Sequence, residues 1–240
     1  MSCKLLRIFR GKSNLYVVNK STLVTDTEVR RWTAACARQI REHVAPAYGQ
    51  PPVKVAFLSS RTHAPKGAWV LVVLDDADQA GALGYHSETA DGRVYGRVFA
   101  RPCEQYGVPV STTLSHEVVE TFCDPDVNRW VDTGRGYSVA YEACDPVEGD
   151  GYLIDGVAVS DFVTPAWYDP KVIGRRHWLD NGSVAGAFEL APGGYVVRRW
   201  PDGSEDQEFG ATANRAYIAA KRHQLGRADR RITSASTEVI

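Results

Sequence analysis

The stretch Thr112-Thr113-Leu114-Ser115-His116-Glu117-Val118-Val119-Glu120-Thr121-Phe122-Cys123-Asp124-Pro125 has the pattern of a helix. Leu114, Val118 and Phe122 recur at four-residue spacing and form an apolar stripe. At about 100° per residue, His116, Glu117, Glu120 and Asp124 crowd into one quadrant of the wheel, partly off that stripe. Ser111 or Thr112 is placed to cap the start, and Pro125 disfavours helical geometry at Asp124, so the helix should end near Cys123. An imidazole and three carboxylates on one side of a short helix cost free energy unless something positive sits among them. Residues at i and i+4 lie one turn apart, so His116 and Glu120 can hold one cation, with Glu117 between them reaching the water that the cation activates. The bland alternative is an amphipathic helix whose polar face is solvated.

Length and composition set the frame for that helix. A chain of 240 residues fills one domain, or one domain with a small appendage. The formal charge of −1 argues against nucleic acid as the main partner, because phosphate binding normally leaves an excess of Lys and Arg. Apolar runs are too short for a membrane span, and Lys4, Arg7 and Arg10 interrupt the first ten residues, which read as a strand rather than a signal peptide. The five cysteines (3, 36, 103, 123 and 144) are odd in number and contain no C-x-x-C pair. They suit reduced thiols in a cytoplasm. Cys123 and Cys144 lie near the candidate helix; buried apolar thiols are expected there, with zinc thiolate ligation as the alternative.

Along the chain, Asn14 to Val18 reads as a strand. Thr25-Asp26-Thr27-Glu28 is a helix-start signal, and helical spacing of Val29, Cys36, Ile40 and Val44 runs to about Ala45, before Pro46 and Gly49. Val53 to Leu58, Trp69 to Leu74, Gly81 to His86 and Val94 to Ala100 read as strands, the second apolar enough to be covered on both faces. Beyond Pro125, Val127 to Gly136 reads as loop and Tyr137 to Ala143 as strand. That strand runs into the acidic Glu142-Ala143-Cys144-Asp145-Pro146-Val147-Glu148. Asp155-Gly156 marks a hairpin between Tyr152–Ile154 and Val157–Val159, and Phe188 to Leu190 should pair with Tyr195 to Trp200. From Gly203 the chain is polar, and Ala211 to Arg231 is rich in arginine and lysine, which suits a basic tail or protein-docking arm.

The motif resembles the H-E-x-x-H helix of zincin metallopeptidases, in which two histidines hold zinc and the glutamate is the general base. Here Glu120 stands where the second histidine would be. A carboxylate is a legitimate zinc ligand, and it also admits a harder cation such as manganese or calcium. The order helix, strands, His-Glu helix is similar to a zincin N-terminal subdomain, whose last strand before the helix is an edge that pairs with extended peptide. Val94 to Ala100 is expected to be that edge strand. The phrases Ala82 to His86, Ser115 to Glu120, Tyr141 to Glu148 and Val159 to Tyr168 also resemble an uncharacterised family of bacterial and phage proteins, over roughly Leu15 to Val197.

These resemblances imply an α+β, zincin-like fold with a mixed twisted sheet. It would comprise an N-terminal subdomain (1–125), a smaller β-rich subdomain completing the site (126–203) and a polar basic tail (204–240). They imply a divalent cation, zinc first, held by His116, Glu120 and a downstream acid, Glu142 before Asp145. Glu117 is the expected base. Tyr141, Tyr152 or His86 would stabilise an oxyanion, and Asp161 would either orient His116 or serve a turn. The expected function is a metal-dependent hydrolase acting on peptide or protein, cytoplasmic, or virion-associated if phage-encoded. The alternative is a catalytically inactive zincin-like scaffold, in which Glu117 has no task.

Overall fold

The computed structural model describes residues 13–79 and 81–211. The strand expected over Met1 to Arg10 and the basic tail beyond Ala211 lie outside them. Strand β1 (Leu15–Asn19) leads into helix α1 (Asp26–Gln39). A capping box opens that helix: the Thr25 hydroxyl accepts from the Glu28 amide while the Glu28 carboxylate accepts from the Thr25 amide. The helix runs on through a π-helical turn (Ile40–Val44) and a short α2 (Ala45–Ala47), and Gly49 ends it at φ 59°. Strands β2 (Val55–Leu58), β3 (Trp69–Leu74), β4 (Gly84–Glu88) and β5 (Val94–Phe99) then complete a sheet with β1.

The sheet is mixed, in the order β2-β1-β3-β5-β4; β4 alone runs antiparallel to its neighbour. The expectation for Val94 to Ala100 is therefore corrected. β5 is an interior strand, hydrogen-bonded to β3 on one side and β4 on the other, and among the described residues β4 is the last strand on that side. The reason is packing: a Cβ at Gly96 would meet Leu71 Cγ of β3 at 2.9 Å, so the glycine lets β5 lie close against β3. β4, with Gly84, His86 and Glu88 on one face, is the more polar strand and takes the edge.

After β5 come two helices, α3 (Ala100–Tyr106) and α4 (Val110–Cys123). α1 and α4 cover one face of the sheet. Leu15, Val17, Leu71 and Val73 meet Val29, Cys36 and Ile40 from α1, and Leu114, Val118 and Phe122 from α4, in the main core. The opposite face carries two smaller clusters, Val18, Val70 and Val72, and Ala82, Tyr85, Tyr95 and Phe99.

The remainder is mostly β. Strands β6 (Trp130–Asp132), β7 (Ser138–Ala140), β10 (Tyr195–Arg199) and β11 (Glu205–Phe209) form an antiparallel sheet ordered β11-β10-β7-β6. β8 (Gly151–Ile154) and β9 (Val157–Ser160) form the expected hairpin, with Asp155 and Gly156 both at positive φ, and β9 packs on α4 and α1. Two expectations fail here. β10 pairs with Glu205–Phe209 rather than with Phe188 to Leu190, and the ordered fold continues beyond residue 203. Arg198 bonds both Asp206 and Glu208 across that pair, and Arg199 bonds Glu205, which draws a polar segment into the sheet. No helix among the described residues is long and apolar enough to cross a membrane.

Candidate metal centre

Gly107, at φ 68°, ends α3, and Pro109 begins α4 as its N-cap. The proline's fixed φ orients the chain, and its carbonyl accepts from the Thr112 amide, so the cap expected from Ser111 or Thr112 is not used. The helix ends at Cys123, as Pro125 requires. Every residue from Thr113 to Cys123 is buried. The polar quadrant of α4 is therefore not a solvated helix face. His116 is 8% exposed, and Glu117 and Glu120 are each 4% exposed.

His116 Nε2 stands 3.2 Å from Glu120 Oε2 and 3.2 Å from Asp145 Oδ1. Asp145 comes from a short 3-10 turn (Asp145–Val147) just past β7. Glu120 Oε1 accepts from the Cys144 amide at 3.1 Å, which leaves Oε2 for the imidazole. Glu142 lies elsewhere. Its Oε2 is 3.9 Å from His86 Nε2, and its backbone carbonyl accepts from the Tyr168 hydroxyl. His86, on β4, is buried against the same helix, with Nδ1 3.5 Å from Glu117 Oε2 and 3.8 Å from Glu120 Oε2. Glu120 thus lies between two imidazoles, with Asp145 on the side of His116 and Glu142 on the side of His86.

This packing pushes His116, His86 and Glu120 towards their protonated forms. Burial opposes a charged His116, but Glu120, Asp145 and Glu117 override it and raise its pKa well above the ordinary value. His86 follows the same balance: burial works against the charge, and Glu142, Glu117 and Glu120 carry it up to about 9. Burial, then Asp145, raises Glu120 to about 8 against the pull of His116. For both His86 and Glu120 the folded pKa exceeds the unfolded value, so their contribution to stability is complete at acid pH. It is lost as pH rises through about 8 to 9. Cation-free protein is expected to melt at progressively lower temperature from pH 6 to pH 9. Scanning calorimetry in the presence of a chelator checks this; a flat or rising trend contradicts the proton-held cluster.

A cleft of about 530 Å³ opens over the N-terminal half of α4. Thr112, Thr113, His116 and Glu117 line it along α4, Leu83 and Gly84 at the start of the edge strand line one wall, and Gly149 to Gly151 with Pro192 and Gly193 the other. A Cβ at Gly84 would come within 2.9 Å of both Glu117 Oε1 and Thr113 Cγ2 and within 3.0 Å of the Arg97 carbonyl. Gly84→Ala is accordingly expected to destabilise the fold by about 1–3 kcal/mol and to shift the Glu117 carboxylate. Urea denaturation measures the first effect; an unchanged midpoint would show that the strand moves aside freely.

Glu117 Oε2 is buried and makes no hydrogen bond, and no arginine among the described residues pairs with it. Several expected residues lie away from the cleft. Tyr141 is stacked on Tyr168 at a ring separation of 4.4 Å, edge-on to Tyr48, and does not line the cleft. Tyr152 bonds Gln39 and His43. His86 is enclosed beneath the helix rather than presented to the cleft. Asp161 orients His177, not His116: its Oδ2 is 2.5 Å from His177 Nδ1, and its Oδ1 accepts from the Leu179 amide. Cys36, Cys103, Cys123 and Cys144 are all free and buried. Burial pushes the Cys144 thiol well above its ordinary pKa, which disfavours the thiolate a metal would need, although its sulfur lies near His116 and Glu120.

Sequence reading singled out His116, Glu117, Glu120, Glu142 and Asp145, and the structure brings all five to one region of α4. His86 was expected at the site only as an oxyanion stabiliser, and not among these acids. The signal was the period-two alternation of Gly84, His86 and Glu88, which places His86 on the helix-facing side of β4. Comparisons with protein-family models, with curated proteins and with solved structures find no match for this chain.

Proposed function

We propose that the chain is a zincin-like, metal-dependent hydrolase that cleaves peptide or protein, with His116, Glu120 and Asp145 holding a divalent cation and Glu117 as general base. The observation that carries this reading is the placement of His116 and Glu117 side by side in the lining of one cleft, with the carboxylates of Glu120 and Asp145 each 3.2 Å from the imidazole.

The two separations from the imidazole suit a cation. Neighbouring ligands at about 2.0–2.1 Å from a tetrahedral ion lie about 3.3 Å apart, and His116 Nε2 is 3.2 Å from both Glu120 Oε2 and Asp145 Oδ1. One nitrogen and two carboxylates suit zinc, and equally manganese. Bound there, the cation would supply Lewis-acid polarisation of a carbonyl and acidification of water.

The chain's own residues do the rest. An extended peptide can enter the cleft beside Leu83 and Gly84, which line it at the start of β4. Glu117 takes the proton of the attacking water and returns it to the departing amine nitrogen. Its burial and lack of a strong hydrogen-bond partner leave the carboxylate free for this task. The Cys144 amide fixes Glu120, and Glu120 with Asp145 fixes His116.

Protein loaded with zinc and freed of excess is expected to cleave a mixed peptide library, with cleavage lost on chelation and restored by zinc or manganese. Stoichiometrically loaded protein that cleaves no peptide would overturn the hydrolase and leave the scaffold. The depth of the cluster favours that second reading: His86, Glu120 and Glu142 do not line the cleft, so the group could serve as an internal staple.

A further inference from the structure

We propose that the chain holds a second divalent cation, apart from the one at His116, in the buried niche formed by His86, Glu120 and Glu142, with Glu120 shared between the two. This rests on the reading of His116, Glu120 and Asp145 as a cation site and adds to it a second ion, with His86 as a ligand. One donor atom from each of His86, Glu120 and Glu142 lies within 4.8 Å of the other two, and the three residues are 3%, 4% and 4% exposed.

The hydrogen bonding of His86 says which ring atom faces the niche. Its Nε2 is 3.0 Å from the Asp124 carbonyl oxygen, which can only accept, so Nε2 carries a proton and donates it. In the neutral ring Nδ1 then bears a lone pair. That atom faces Glu117 Oε2 at 3.5 Å and Glu120 Oε2 at 3.8 Å. Three acceptors turned towards one another require positive charge between them. A proton on Nδ1 supplies it in the cation-free protein, and a bound cation would take that proton's place. The carboxylates do not close on the ring to the roughly 2.7–2.9 Å of a charge-assisted N–H···O bond. Donor atoms gathered about one cation at about 2.1–2.2 Å are instead spaced about 3.0–4.4 Å apart. The separations of 3.5 and 3.8 Å from Nδ1 fall in that range, and Glu142 Oε2 stands 3.9 Å from Nε2 of the same ring.

The second, independent observation is Glu117 Oε2. It is buried, has no hydrogen bond, and opens towards His86 rather than towards solvent. A buried carboxylate oxygen left in this way costs free energy that a neighbouring cation offsets. The niche also accounts for the division of the acidic residues. Asp145 serves the His116 side of Glu120, while Glu142 is turned to the His86 side. The donor set, one imidazole with carboxylates, suits manganese or zinc.

Cation content and coupling test this on the full chain. Protein is dialysed free of metal, loaded with Mn(II) or Zn(II), passed through a desalting column and analysed for metal. Two equivalents are expected in the wild type, one in His86→Gln and one in Glu142→Gln, which preserves shape if the histidine variant folds poorly. His116→Ala should also keep one. Two Mn(II) ions sharing a carboxylate should show an exchange-coupled electron paramagnetic resonance signal, and each single variant an isolated-ion signal. One equivalent in the wild type, unchanged in His86→Gln and Glu142→Gln and lost in His116→Ala, would overturn the second site and leave the hydrolase reading standing. No bound cation at all would remove both.

Discussion

Glu117→Gln is expected to keep its cation and to lose on the order of 10²–10⁴-fold in the rate of peptide cleavage. Glu117 lines the cleft beside His116, and its Oε2 faces His86 at 3.5 Å. The amide is nearly the same size, so the fold and the cation at His116 should persist while proton transfer fails. Stability should change little or rise slightly, because a buried acid with an oxygen lacking a hydrogen bond becomes neutral. Single-turnover assays on loaded protein, with metal content measured on the same sample, check both halves. A rate within threefold of wild type would mean that Glu117 has no proton to carry, and the scaffold reading would replace the hydrolase.

His116→Ala is the second large effect. It removes the one nitrogen donor between Glu120 and Asp145 and leaves two buried carboxylates facing each other. Binding to the folded state alone stabilises by RT ln(1 + [L]/Kd), about 2.7 kcal/mol at a hundredfold excess over Kd. The wild type should therefore melt several degrees higher with zinc than with chelator, and His116→Ala should lose most of that difference together with one equivalent of metal. Equal zinc-dependent shifts in both proteins would place the cation elsewhere.

How far the sequence foretold this molecule depends on the kind of signal. α4 was legible because Leu114, Val118 and Phe122 bury one stripe and Pro125 ends the helix, both local effects. So was α1, whose capping box is written in Thr25 and Glu28. The choice between Glu142 and Asp145 was not local. By sequence Glu142 reads as the end of a strand, but β7 stops at Ala140 and the chain turns through Tyr141 to Cys144 before the 3-10 turn. That turn carries Asp145 to His116 and leaves Glu142 facing His86.

The edge strand was misassigned because strand order is a tertiary property. Val94–Phe99 and Gly84–Glu88 both read as strands, and only the close approach of Gly96 to Leu71 shows which is interior. β11 was missed for a related reason. Glu205–Phe209 is polar by composition, and the arginines that recruit it lie on β10. His86 entered the cluster through pleat alternation, which became informative once β4 was known to lie against α4.

The most direct test of the central claim is an anomalous difference map from crystals of zinc-loaded protein, recorded on both sides of the zinc edge. The account predicts a peak about 2.0–2.2 Å from His116 Nε2 and from a carboxylate oxygen of each of Glu120 and Asp145, open on its remaining side to the cleft beside Glu117. Density there without zinc scattering, or zinc bound only at surface residues, would contradict it.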